Sequence, residues 1–201
     1  MSPKISEEAK EERKQLLLHA ALECFAKNGY YATSVDDIVA FANLSKGSFY
    51  NYFSSKEELF ISLLEAQTTL SLYRLKEKLL KMETAVEKLK YIIRLDLPFN
   101  ELKKKMMRVQ LEFWMYSTGH PEIKKILTDR YEIVLTIVKD IIEMGIETGE
   151  FRKNLDSEKA ASMFWALHDG IWIHSIVLDE KTLVESKIIE MEKTLLKYLC
   201  E

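Results

Sequence analysis

The span from Thr33 to Lys56 constrains the fold most, because it has to hold two helices with room for only a tight turn between them. Val35, Ile38, Val39 and Ala42 recur at i, i+3, i+4 and i+7, which is one apolar stripe on a helix of about two turns. Thr33 and Ser34 precede the stripe, and Asp36 and Asp37 stand three residues after them, so either pair can close a capping box. Asn43 follows, a residue able to enter the left-handed conformation that ends a helix. Ser45 then caps a second helix from Lys46 to Tyr52. Helices joined so closely cannot run on in line. Leu44, Phe49 and Phe53 are expected against the first helix, which leaves Lys46, Gly47, Ser48, Asn51 and Tyr52 outward.

That outward set offers a cation, a hydroxyl, an amide, a phenol and a glycine that admits close backbone approach. Such groups suit phosphates and base edges in a major groove. Ser55 and Glu58 form another capping-box pair, and Lys56 in the first turn of the next helix makes its N-terminus a phosphate site. A plain helical hairpin would share the apolar stripe, but it has no need of two aromatics on the outer side of so short a helix.

Three runs carry a family resemblance: Thr33-Ser34-Val35-Asp36-Asp37-Ile38, Ser45-Lys46-Gly47-Ser48-Phe49-Tyr50-Asn51-Tyr52-Phe53 and Ser55-Lys56-Glu57-Glu58-Leu59. With Phe25-Ala26-Lys27-Asn28-Gly29-Tyr30 before them, they resemble the N-terminal signature of TetR-family (TetR/AcrR-type) transcriptional repressors over about residues 10 to 65. Asn43 and Leu44 stand where that family usually has glycine and valine, and Tyr52 where it has histidine. The resemblance implies that Thr33, Ser34, Tyr52 and Lys56 hold phosphates, that Ser45 and Lys46 work at the start of the reading helix, and that Gly47, Ser48, Tyr50 and Asn51 lie nearest the bases.

Composition bounds this reading. The 201 residues include only six glycines and three prolines and are 47% hydrophobic, which favours an all-helical chain. No apolar run approaches the roughly 20 residues of a membrane span, and charged residues stand where a signal peptide needs apolar ones, so a cytoplasmic location with no membrane partner is expected. Cys24 and Cys200 are far apart without ligand spacing, and the four histidines have none either, so neither a metal nor a cofactor is expected. The net charge is -3, and residues 1 to 60 hold seven Lys and Arg against nine Asp and Glu. DNA contact must therefore come from where charge is placed, which favours site-specific binding over loose coating.

Along the chain, residues 1 to 10 read as a polar arm, and Leu17, Leu18, Ala21, Leu22 and Phe25 as the stripe of a first helix ending at Asn28-Gly29. The boundary is expected between a head, 1 to 54, and a body, 55 to 201. Leu59, Phe60, Leu63, Leu64 and Ala66 carry a fourth helix out of the head without a linker, so head and body are rigidly joined. The body reads as further helices over 70 to 82, 86 to 97 (stopped by Leu97-Pro98), 101 to 117, 122 to 148, 157 to 178 and 183 to 199. Ile126, Leu127, Tyr131, Val134, Leu135, Val138, Ile141 and Ile142 are expected on the buried side of the long helix. The helix over 157 to 178 carries two apolar stripes side by side, and Gly170 within it suggests a close helix approach.

No phosphate loop, His-Glu-x-x-His or Gly-x-Ser-x-Gly is present, and His168-Asp169 with Ser162 or Ser175 diverge in direction on one helix, so an enzyme is not expected. Phe113, Trp114, Tyr131, Trp165, His168 and Trp172, with Met115 and Tyr116, are many large and partly polar groups, of the kind that line a mostly apolar pocket. The resemblance further implies a homodimer paired through its last two helices, double-stranded operator DNA as partner, and a small, mostly apolar inducer. A helical carrier whose head reads no DNA, and an architectural DNA-binding protein without inducer, are the alternatives.

Overall fold

The computed structural model describes residues 6–95, 97, 100–178 and 181–201, without the side chains of Gln67 and residues 181–183. Among these the chain is all-α: α1 (Glu7–Asn28), α2 (Val35–Phe41), α3 (Lys46–Tyr50), α4 (Lys56–Leu79), α5 (Ala85–Ile93), α6 (Glu101–Ser117), α7 (Pro121–Thr148), α8 (Ser157–Leu178) and α9 (Lys181–Cys200). The expected stop at Leu97-Pro98 falls partly outside the described residues; α5 ends earlier, at Ile93. Half of the expected N-terminal arm also lies outside them.

Local chemistry sets the helix ends. Ser6, Ser45, Ser55 and Asn100 each accept an amide hydrogen bond at the start of α1, α3, α4 and α6. Of the two capping boxes open at α2, Ser34 with Asp37 is the one formed. At Ser55 only half of a box forms, because the Glu58 carboxylate accepts from the amide and hydroxyl of Ser54 instead. Gly149 closes α7 in the left-handed region, at φ +80°.

Two cores organise the molecule. The first gathers α1 to α3 and the start of α4, with Leu17, Phe25, Ile38, Phe49, Phe53 and Phe60 at its centre, and it also takes Val109, Phe113 and Tyr116 of α6. The second holds α5, the later half of α7, α8 and α9 around Trp172, Phe164, Ile141, Val184 and Ile188. α4 leaves the head as one helix of 24 residues, about 36 Å long. Tyr131 and Leu167 do not lie in either core: they are 41% and 40% exposed, because the outer faces of α7 and α8 are uncovered in a single chain.

Candidate nucleic-acid interface and its coupling to the body

The turn between α2 and α3 is a Schellman closure. Leu44 donates to the Val39 carbonyl at 2.9 Å and Asn43 to that of Ala40 at 3.2 Å, with Asn43 left-handed at φ +53°. Asn43 does here what glycine does at such a position, since asparagine tolerates this conformation. Ser45 then restarts the chain as the cap of α3, so the two helices turn sharply and Phe49 is driven into the core.

Of the residues expected to meet DNA, Ser34, Ser45, Lys46, Gly47, Tyr50 and Asn51 form the exposed rim of α2 and α3. A Cβ at Gly47 would meet the Ser45 hydroxyl at 3.9 Å and nothing nearer among the described residues, so a backbone or base edge can approach it closely. Lys46 pairs with Asp36 at 2.9 Å, and that bond raises its pKa above the ordinary lysine value. The Ser34 hydroxyl and amide hold the Asp37 carboxyl below the usual range. Tyr52 is half-buried against the head core. Ser48 turns its hydroxyl inward, where the oxygen is buried and bonds to nothing among the described residues.

Two of the expected phosphate contacts are placed differently. Thr33 is buried, its hydroxyl donating to the carbonyls of Gly29 at 2.7 Å and Cys24 at 3.2 Å, so its side chain ties the α1–α2 turn together. Lys56 sends its ammonium back to the carbonyls of Tyr30 and Thr33, both at 2.7 Å, over the Tyr30 ring at 4.3 Å, and burial lowers its pKa. The lysine that starts α4 braces the turn rather than reaching outward.

The same turn is gripped from the body. Gly29 adopts φ +83° and ψ 162°, a region open essentially to glycine, and a Cβ there would also meet the Glu112 carboxylate at 2.7 Å. That carboxylate on α6 accepts the Tyr30 amide. One turn on, the Tyr116 hydroxyl donates to Glu57 at 2.7 Å, and burial first, then that bond, pushes its pKa upward. Phe113 meets Phe60 edge-on at 4.6 Å, and Lys105 pairs with Glu23 at 2.6 Å. Glu112 and Glu57 are not among the expected site residues, and Tyr116 is expected only in the pocket of the body, since no local pattern marks contacts made across 59 to 82 residues of chain.

The expected pocket residues separate. Phe113 belongs to the head core, and Tyr131 faces outward. Trp165, His168 and Trp172 do gather on α8: the Trp172 indole donates to His168 Nε2 at 2.8 Å, and Trp165 donates to the Val134 carbonyl at 3.2 Å. The first bond leaves the His168 ring proton on Nδ1, 3.5 Å from Asp169. Trp172 is fully buried, while Trp114 on α6 is half-buried. Among the described residues one cleft lies between α1, α2 and α6 and another between α1 and α4, and neither of these is lined by these aromatics.

Residues 17–63 match the family described as "Bacterial regulatory proteins, tetR family", and residues 86–186 match the "Tetracyclin repressor-like, C-terminal domain". The chain belongs to the TetR family. An uncharacterised HTH-type transcriptional regulator of Bacillus subtilis, YfiR, is 27% identical over 98% of this chain and 96% of its own. A putative transcriptional regulator from Saccharomonospora viridis, solved with choline, shares the fold at TM-score 0.87 and 24% identity, over 95% of this chain and 99% of that one. FadR from Bacillus subtilis, solved with stearoyl-CoA, has TM-score 0.79 and 25% identity over 90% and 97%. This TetR-family chain is thus a transcriptional regulator and not an enzyme. No described helix is long and apolar enough to cross a membrane.

Proposed function

We propose that this TetR-family regulator is a repressor that binds a near-palindromic operator as a homodimer and releases it on binding a small, mostly apolar inducer. The observation that carries the reading is the rim of α3: Ser45, Lys46, Gly47, Tyr50 and Asn51 project together beyond a closed turn, with Ser34 beside them. Two such rims in successive major grooves need centres about 34 to 36 Å apart. The partner face is the outer side of α8, where Met163, Leu167, Val177 and Leu178 are exposed and a Cβ at Gly170 would meet no other part of the described single chain within 4 Å. Trp114, Trp165 and His168, where α6 packs on α8, are the inducer contacts this reading favours, with side-chain rearrangement needed to admit a ligand. FadR with stearoyl-CoA supports an apolar ligand class. An inducer preferring the form with misplaced heads weakens DNA binding by its differential affinity.

The test is fluorescence anisotropy against DNA from upstream of the protein's own gene and against random DNA, across a salt series. Preference for one fragment by about a thousandfold or more establishes operator recognition. An unbiased operator selection that returns no enriched sequence overturns it.

A further inference from the structure

The cleft between α1, α2 and α6 has a volume of about 560 Å³, within the span of about 300 to 1,000 Å³ usual for ligand sites. Lys27, Lys104, Lys105 and Arg108 line it, with Glu23, Asp37 and Glu101. Each carboxylate is already engaged: Glu23 with Lys105 at 2.6 Å, Glu101 with Lys104 at 3.7 Å, and Asp37 with the amide and hydroxyl of Ser34. Among the described residues, Lys27 and Arg108 have no ion-pair or hydrogen-bond partner. Cys24, Ala26, Ala40 and the 56% exposed ring of Phe41 supply the apolar part of the wall.

We propose that this cleft is a second effector site, taking a small organic anion that sets a carboxylate between Lys27 and Arg108 and an aryl or alkyl body against Phe41. Two cations without protein partners give an anion charge-assisted bonds, and the apolar wall selects an amphipathic acid over a bare inorganic ion. The walls belong to different parts of the molecule: α1 and α2 carry the head, and α6 carries the grip of Glu112 and Tyr116 on it. A ligand touching both holds the head in the arrangement described above, so its occupancy is linked to DNA affinity independently of the aromatic cluster on α8.

Titration calorimetry of the full chain with 2-naphthoate, and with neutral 2-naphthamide as control, tests the site. Saturable naphthoate binding is expected, weakened about tenfold or more for the amide and for Lys27→Gln combined with Arg108→Gln. Both positions are exposed, so the double variant should keep the wild-type melting temperature. Ala40→Trp fills the cleft without touching charge and should block naphthoate as well. Absence of saturable binding at millimolar concentration, or equal binding by wild type and both variants, overturns the proposal. These arms need no DNA, so they stand or fall apart from operator recognition.

Discussion

At Gly145 a single hydrogen atom decides the fit of α7 to the turn after it. A Cβ there would come within 2.2 Å of the ring of Phe151, a buried residue whose amide donates to the Gly145 carbonyl at 2.8 Å. Gly145→Ala should therefore cost about 1–3 kcal/mol, as overpacking does, and lower the melting temperature by roughly 2–4 °C for each kcal/mol in a chain of this size. A thermal scan decides, and an unchanged midpoint would mean that the ring yields freely. Lys56 poses a different question at the same scale. With its ammonium on the carbonyls of Tyr30 and Thr33, Lys56→Met keeps the aliphatic stem and strands two acceptors. Stability should fall by about 1–3 kcal/mol, while the slope of log affinity against log salt changes by less than about one unit. The opposite pattern, full stability with a slope lower by about one, would restore it as a phosphate contact.

At the scale of elements, short-range chemistry was legible and long-range chemistry was not. The α2–α3 pair could be read because its caps and its left-handed Asn43 are decided within about ten residues, and the stripe from Val184 to Leu199 on α9 because burial follows a helical period. Phe113 could not be assigned to the head, since a helix period says which residues are buried and not against what. Nor could a sequence pattern show that Lys56 folds back, since its two acceptors are carbonyls of a loop 23 and 26 residues earlier. α5 shows another such dependence. Its first amides, Ala85 and Val86, each donate at 3.0 Å to the Glu150 carboxylate from the α7–α8 turn. Partial burial works against ionisation there, but the Val86 and Ala85 amides, with Thr148, outweigh it and hold the carboxyl below the ordinary glutamate range. A depressed folded pKa means that this stabilisation is fully present above the unfolded glutamate pKa and is lost as pH falls through the folded one. Glu150→Gln should thus be less stable near neutrality by roughly 0.5–2 kcal/mol, the range of an N-terminal cap, and the gap should close in acid. Urea unfolding of both proteins from pH 7 down to pH 3 reads the gap directly; a gap independent of pH would assign it to packing.

For the whole molecule, the two cores divide the labour in a way that the head-and-body boundary at residue 54 does not capture. The second half of α6 is packed as part of the head, through Val109, Phe113 and Tyr116, while α8 and α9 close a separate core around Trp172. A change in the body can therefore reach the α1–α2 turn along α6 as well as along α4, because Glu112 holds the Tyr30 amide and Tyr116 holds Glu57. Such a shift matters to an operator only if two heads are held at fixed spacing, and the proposed homodimer assigns that to the face of α8. Met163, Leu167, Gly170, His174 and Val177 follow one another at helical spacing along it, all exposed in the single chain except the half-exposed Gly170. Leu167→Lys places a charge within that stripe without touching either core. By light scattering, the wild type should have twice the 23.5 kDa chain mass and the variant a single chain's mass, with helicity by circular dichroism unchanged. The variant's operator affinity should drop toward that of one half-site, since each head must then bind alone and the gain from linked binding is lost. A variant that stays dimeric with full affinity would move the interface off α8, and the spacing of the heads would have to be set by another surface.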